Sequence, residues 1–260
     1  MATGIGVGIS SVFETTVGTS VPAFSNLYSL EFDGLNDRAS INDNDIFTFN
    51  TGGQDDPFSF SMWIKFAAFG AQGLLSKDAA GQSEYAIATD ASGNLFFRLF
   101  DANTTTNYIQ VETNASVQVV GWQHFVFTYD GSETDAGLKI YIDDVVVAQT
   151  QSTTGAYTHG MDNTTATVVY GVWGRLRSYF GGNIDEVSCW DIELSAGEVT
   201  SLYNGGTPTD LTGSTGLIGW WRNGDTAGPS VYPTIQDYSS NSNDATMYNM
   251  TSGDIVTDVP

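Results

Sequence analysis

The chain has 260 residues, 41% of them hydrophobic, enough to build a sizeable core in one large domain. Thirty acidic residues against eight basic ones give a formal net charge of -22, a field that repels phosphate backbones and anionic membranes and argues against nucleic-acid partners. The single cysteine, Cys189, excludes an internal disulfide, and no run of 18 apolar residues is present to insert into a membrane.

Residues 1–25 are rich in Gly, Ser, Thr and Val and carry one charge, Glu14. No single periodicity fits their apolar positions. The segment reads as an arm that gains order along a partner, with Val7, Ile9, Phe13, Val17 and Phe24 as anchors. It lacks the basic leader and continuous apolar stretch of an ordinary signal peptide.

Strand signals begin at Leu27. Tyr28 to Phe32 alternates and ends in the turn Asp33-Gly34. Phe58, Phe60, Met62, Ile64 and Phe66 occupy every second position, which predicts a strand with one face buried. Further strands are predicted at 73–76, 84–88, 95–100, 108–111 and 124–129. Asp143-Asp144 joins 138–142 to 145–148 as a tight hairpin, because Asp tolerates left-handed backbone angles. Strands at 168–173 and 182–190 complete the set. So many short strands between Gly and Asp turns predict an all-β, two-sheet antiparallel sandwich.

One helix is legible. Ser195-Ala-Gly-Glu198 is a capping box, Val199, Leu202 and Tyr203 share a face, and Gly205-Gly206 stops the run. Two or three turns are not stable alone, so the helix is expected as a lid on a sandwich edge. After a polar linker at 208–216, strands are expected at 217–221 and 245–249, separated by the polar turn 237–244. These last 50 or so residues are too few for a second sandwich and should pack on the first. The predicted organisation is therefore an arm at 1–25, a sandwich at 26–206 and an extension at 207–260.

Several segments, taken in order, resemble laminin G-like jelly rolls of the concanavalin A-like lectin/glucanase superfamily. They are Tyr28 to Asp37, Phe58 to Lys65, Gly121-Trp-Gln-His-Phe-Val-Phe-Thr-Tyr-Asp130, Leu138 to Val145, and Gly181-Gly-Asn-Ile-Asp-Glu-Val187 with Leu194 to Glu198 and Leu202-Tyr203. The resemblance spans about 27–206 and implies a jelly roll with one short helix. Trp220-Trp221 and the run Asp237 to Ala245 resemble a motif that usually precedes such domains, here at the C-terminal side. Proteins with this ending are also similar to structural proteins of marine tailed bacteriophages. That similarity implies a virion structural or decoration protein, assembled in the host cytoplasm, that contacts itself or other virion proteins.

Glucanases of the superfamily carry paired carboxylates in E-x-D-x-x-E on one strand face. Here Asp185 and Glu186 are adjacent, so alternation is expected to send them to opposite faces, and no catalytic pair is assigned. His124 and His159 have no partner legible in sequence, the serines form no identifiable triad, and no zinc or phosphate-loop motif is present. The chain is expected not to be an enzyme. Asp33, Asn36 and Asp37 cluster in one turn, and Asp185 belongs to the closing motif. Calcium-binding family members place ligands near such a rim, so these four are the candidate Ca2+ ligands, against the alternative that Asp33 and Asp37 cap local amides. Trp63, Trp173, Trp220 and Trp221 either fill the core or stack on sugar rings. Tyr179 and Phe180, between Arg177 and Gly181-Gly182, read as a loop contact patch. The alternative to the virion role is a calcium-dependent carbohydrate-binding module taking a cell-surface glycan.

Overall fold

Alternating apolar positions drive the chain into two antiparallel sheets that trap their inward side chains between them. The computed structural model describes residues 1, 24–101, 106–225 and 228–260. Edge to edge, the first sheet runs Val145–Val146, Leu138–Ile142, Trp122–Tyr129, Phe58–Phe66, Gly181–Trp190, Ser29–Asp33 and Ile255–Val256, with Leu217–Trp221 also paired to Gly181–Trp190. The second runs Gln149–Thr154, Tyr108–Ser116, Asn94–Phe100, Gln82–Thr89, Gln72–Ala79, Val168–Tyr170, Arg38–Ile41, Ala245–Tyr248 and Thr234–Ile235. The result is the expected all-β jelly-roll sandwich, with one α-helix among the described residues.

Phe58, Phe60, Met62, Ile64 and Phe66 of the first sheet meet Tyr85, Ile87, Phe97 and Leu99 of the second in one core. The rings interlock: Phe49 stacks on Phe58 at 4.0 Å between centroids, and Phe97 meets Phe58 edge-on at 5.8 Å. Each fully buried Phe of this kind contributes about 1.5–3 kcal/mol from area alone.

The expectation of one buried face for Phe58–Phe66 is only half the outcome. Ser59, Ser61 and Trp63, on the other face, are buried as well. The reason is the helix Ala196–Tyr203, which lies across the outer face of this sheet and not along an edge. Val199 and Leu202 pack with Val126, Tyr141, Trp190 and Trp220, all outward-pointing. The Ser195–Glu198 capping box forms, and the left-handed stop falls on Asn204, at φ +47, one residue before the glycines.

Two further departures shape the molecule. The run 168–173 breaks at Gly171, whose φ of +83 turns the chain; a Cβ there would lie 2.2 Å from the Phe32 ring. Val172–Trp173 then pairs with Ser178–Tyr179 in a short hairpin folded over the outer face of the second sheet. At 145–148 only Val145–Val146 is strand, while the polar Gln149–Thr154 pairs with Tyr108–Ser116 as an edge strand. Its exposed, apolar-poor composition gave no alternation to read. The 207–260 segment contributes strands to both sheets: Leu217–Trp221 and Ile255–Val256 to the first, Ala245–Tyr248 and Thr234–Ile235 to the second.

Candidate functional site

The hairpin borders one of the larger grooves on the surface of the described residues. In the second sheet Ala39 and Ile41 point into the core, so Arg38 points out; Val169 likewise faces outward and is covered by the hairpin. Trp173 anchors that cover. Its ring meets Phe96 edge-on at 5.4 Å among Ala86, Ala88 and Phe100, and its indole N–H donates to Asp78. The Gly174 amide donates to Ser76 Oγ at 3.1 Å and Ser178 Oγ donates to the Ala71 carbonyl at 3.0 Å. Arg175 pairs with Asp78 at 3.2 Å.

Beside this hairpin lies a groove of about 410 Å3, lined by Arg38, Asp78, Thr167, Val169, Arg177, Tyr179 and Asn249 among others. Tyr179 is half-buried and Arg177 exposed. Arg38 sits 4.6 Å over the Tyr248 ring. An aromatic ring beside guanidinium and amide donors offers both an apolar face for C–H groups and in-plane hydrogen bonds for hydroxyl or anionic oxygens. Sequence reasoning found Tyr179 but missed Arg38 and Asn249, which arrive from strands and turns distant in sequence.

Other predicted contact aromatics are corrected by their burial. Phe180 is fully buried between Phe32 and Phe66, at 5.9 and 5.5 Å, because the hairpin's second arm turns it into the core. Trp63 lies under Tyr203 and beside His124, Trp220 under the helix cluster, Trp221 in the main core and Trp173 under the hairpin. None presents a free ring face for a sugar. Phe24 stacks on Trp220 at 6.3 Å and takes the Arg222 guanidinium at 4.4 Å, so it is held by its own sandwich instead of awaiting a partner. Val7, Ile9, Phe13 and Val17 lie outside the described residues.

The four candidate calcium ligands do not come together. Asp33 Oδ1 accepts from the amides of Leu35 and Asn36 at 2.8 and 3.2 Å, and Asp37 Oδ2 accepts from the Asp33 amide at 3.0 Å. Burial, then the nearby Asp33 and Asp254 carboxylates, push Asp37 up to about 6. The Asn36 carbonyl accepts from the Asn249 side chain at 2.9 Å. Asp185 is fully buried elsewhere, beside Glu186 and Asp225. Among the described residues no group of three or more His, Cys, Asp or Glu side chains has the geometry to hold a metal ion.

The opposite-face expectation for Asp185 and Glu186 also fails. Glu186 adopts φ +47 and the register shifts between Asp185 and Ser188, a bulge that brings both carboxylates into one buried cluster. Glu186 accepts from the Trp220 indole at 2.5 Å and from Arg222 Nε at 3.2 Å; Arg222 Nη2 reaches Asp225 at 2.6 Å. Asp225 in turn accepts the Leu27 and Tyr28 amides at 2.6 and 2.7 Å, sealing the cluster.

His124 does have a partner: Ser61 Oγ lies 2.7 Å from its Nε2. Ser61 pairs with Val126 across the strands, so His124 is its diagonal neighbour on the same face, a relation visible only once the register is known. The space they share with Glu186 and Leu202 is about 10 Å3, one water at most, so no substrate reaches this Ser–His pair. Burial pushes His124 down to about 3, and the ring is neutral in the fold. A lowered histidine pKa is a stabilising contribution lost as pH falls from the ordinary value of 6.5 through the folded one. We therefore expect the melting temperature to decline below about pH 6.5, and less steeply in His124→Gln, in differential scanning calorimetry. Parallel acid limbs in the two proteins would refute the assignment.

Two large antiparallel sheets, a helix on one outer face and a polar groove on the other define a lectin-like jelly roll. The chain belongs to the Concanavalin A-like lectin/glucanases superfamily, whose family model matches residues 33–200. A search of curated proteins finds no match. Among solved structures, a protein from Bacteroides ovatus assigned by inference to carbohydrate binding is similar at 17% identity and a TM-score of 0.61, over 90% of this chain and 60% of that one. The chain thus spans about 60% of the length of that protein. A heptameric SAP-like pentraxin from Limulus polyphemus is similar at 11% identity and a TM-score of 0.46, covering 68% of this chain and 82% of that one. The receptor binding domain of botulinum neurotoxin mosaic serotype C/D is similar at 15% identity and a TM-score of 0.49, covering 69% and 42%. No helix among the described residues is long and apolar enough to cross a membrane.

Proposed function

We propose that the chain is a non-catalytic carbohydrate-binding module whose glycan lies in the groove beside the hairpin Val172–Tyr179. The observation that carries this reading is the groove itself: about 410 Å3, open on a sheet face, with Tyr179, Arg38, Arg177 and Asn249 converging on it. The fold likeness to the Bacteroides ovatus protein supports the same function, carried over as part of the proposal. The absence of catalysis rests on the sealing of the two functional-group pairs that could act, Asp185–Glu186 and Ser61–His124. The lectin-like fold favours this carbohydrate reading over the virion role and host-cytoplasm assembly that the phage resemblance implies, on which the comparisons do not bear.

A glycan array probed with the full chain tests the proposal. Binding to a defined set of glycans, reduced about threefold to tenfold by Tyr179→Ala, is the expected result, since losing one stacked ring removes about 0.5–1.5 kcal/mol. The same array with EDTA decides whether calcium takes part. An array without signal, or a signal indifferent to Tyr179→Ala, would overturn the reading.

A further inference from the structure

The eight lysines and arginines are unevenly matched to the thirty acidic residues. Lys65, Lys77, Lys139, Arg175 and Arg222 each form an ion pair, with shortest contacts of 2.5–3.2 Å. Arg98 is held by the Gln110 side chain at 2.6 Å and lies 3.9 Å over the Tyr108 ring. Among the lysine and arginine side chains of the described residues, those of Arg38 and Arg177 alone show no hydrogen-bonded or ion-paired partner, and both line the groove. In a chain where acids outnumber bases almost fourfold, two unpaired guanidinium groups converging on one groove are the reverse of what chance places there.

Their presentation suits an oxyanion. The Tyr248 ring covers the face of the Arg38 guanidinium and leaves its in-plane N–H groups free to donate. Arg177 sits at φ +51 in the tip of the hairpin, exposed to solvent. The one carboxylate in the lining, Asp78, is already engaged by the Trp173 indole, the Ser83 hydroxyl at 2.5 Å and Arg175. It neutralises Arg175 and leaves Arg38 and Arg177 uncompensated, so the groove is a cationic site on a molecule of net charge -22.

We infer that the groove selects an anionic glycan, a saccharide bearing carboxylate or sulfate groups that take bidentate hydrogen bonds from Arg38 and Arg177. This inference rests on the groove being the glycan site. It also explains how so acidic a protein binds an acidic polymer: distant repulsion is screened by salt, whereas two contact ion pairs in a partly enclosed groove are screened less.

The test uses matched pairs that differ only in charge. Isothermal titration calorimetry of the full chain is run with a hexameric oligogalacturonate and its full methyl ester. A second pair, a sulfated carrageenan hexasaccharide and its desulfated form, separates sulfate from carboxylate. We expect one charged member to bind about tenfold or more tighter than its neutral counterpart, the gain of one charge-assisted hydrogen-bonded pair. We expect the double variant Arg38→Gln/Arg177→Gln to abolish that preference with an unchanged melting temperature, since neither side chain is fully buried or ion-paired. Equal binding of charged and neutral members, with both lost in Tyr179→Ala, overturns the anionic preference but leaves the carbohydrate reading standing. A charged preference that survives the double variant places the anion elsewhere and also overturns the inference. No binding of any of the four saccharides counts against the anionic class itself; only a silent glycan array would remove the carbohydrate reading with it.

Discussion

Arg222→Met is expected to destabilise the protein by about 3–5 kcal/mol at about pH 8.5, where Glu186 is largely ionised and would be left buried without its cation. Arg222 is 8% exposed and, among the described residues, is the one cation that pairs with the Asp185–Glu186–Asp225 cluster. Its two nitrogens divide the work, Nε on Glu186 and Nη2 on Asp225 and the Ser25 carbonyl at 2.6 Å. The guanidinium is also layered against Phe24 and Trp220, at 4.4 and 5.1 Å, so a lysine, without the planar fork, is expected to recover only part of the loss. Burial already outweighs Arg222 and holds Glu186 up at about 8, while burial and the neighbouring carboxylates raise Asp185. A carboxyl with a raised folded pKa contributes stability that is fully present below its unfolded value near 4.5 and lost as pH rises through the folded one. Removing Arg222 raises these carboxyls further, so the deficit of the variant should grow from about pH 5.5 to about pH 8.5. Urea unfolding of both proteins at the two pH values measures it. A deficit that shrinks with pH, or none at all, would show that the cluster is compensated by something other than Arg222.

Gly73→Ala is expected to weaken glycan binding by about tenfold or more while leaving the core intact. A Cβ on Gly73 would sit 1.8 Å from the Trp173 backbone nitrogen and 2.4 Å from the Val172 carbonyl carbon. These are backbone atoms, and no rotamer change relieves them. The hairpin must lift from the strand Gln72–Ala79, taking Arg177, Tyr179 and Gly174 away from Arg38 and Val169 on the sheet beneath. Overpacking of this kind costs about 1–3 kcal/mol, and the groove loses one wall. We expect a modest drop in melting temperature and a fall in affinity of about tenfold or more for the best array glycan. Gly121→Ala, where an added Cβ meets nothing within 4 Å, is the control and should change neither. Full-strength binding by Gly73→Ala would detach the hairpin from function.

The two substitutions also mark what the sequence could tell. Period-two runs such as Phe58–Phe66 announced a sandwich because burial against a facing sheet imposes that spacing, and Ser195 with Glu198 announced the helix because both capping partners are local. What covers the outer face of a strand is a long-range matter: nothing near Ser61 or Trp63 in sequence says that Leu202 and Trp220 lie over them. Tryptophans that the sequence left open between core and sugar platform are buried anchors for the same reason, since large rings with one polar nitrogen serve a buried hydrogen bond as well as an exposed stack. Asp185 and Glu186 were misplaced because a single left-handed residue reset the alternation. The groove was partly legible: Tyr179 and Arg177 are neighbours in sequence, but Arg38 and Asn249 reach them only through pairing of Arg38–Ile41 with Val168–Tyr170 and Ala245–Tyr248.

The central claim, that the groove beside the hairpin is the glycan site, is met most directly by a crystal structure of the protein with the tightest-binding saccharide from the array. A sugar is expected against the Tyr179 ring, with oxygens in hydrogen-bond range of Arg38 and Arg177. Saccharide density on the opposite sheet, or in the acidic cavity of about 460 Å3 lined by Asp45, Asp56 and Asp191, with the groove empty, would contradict it.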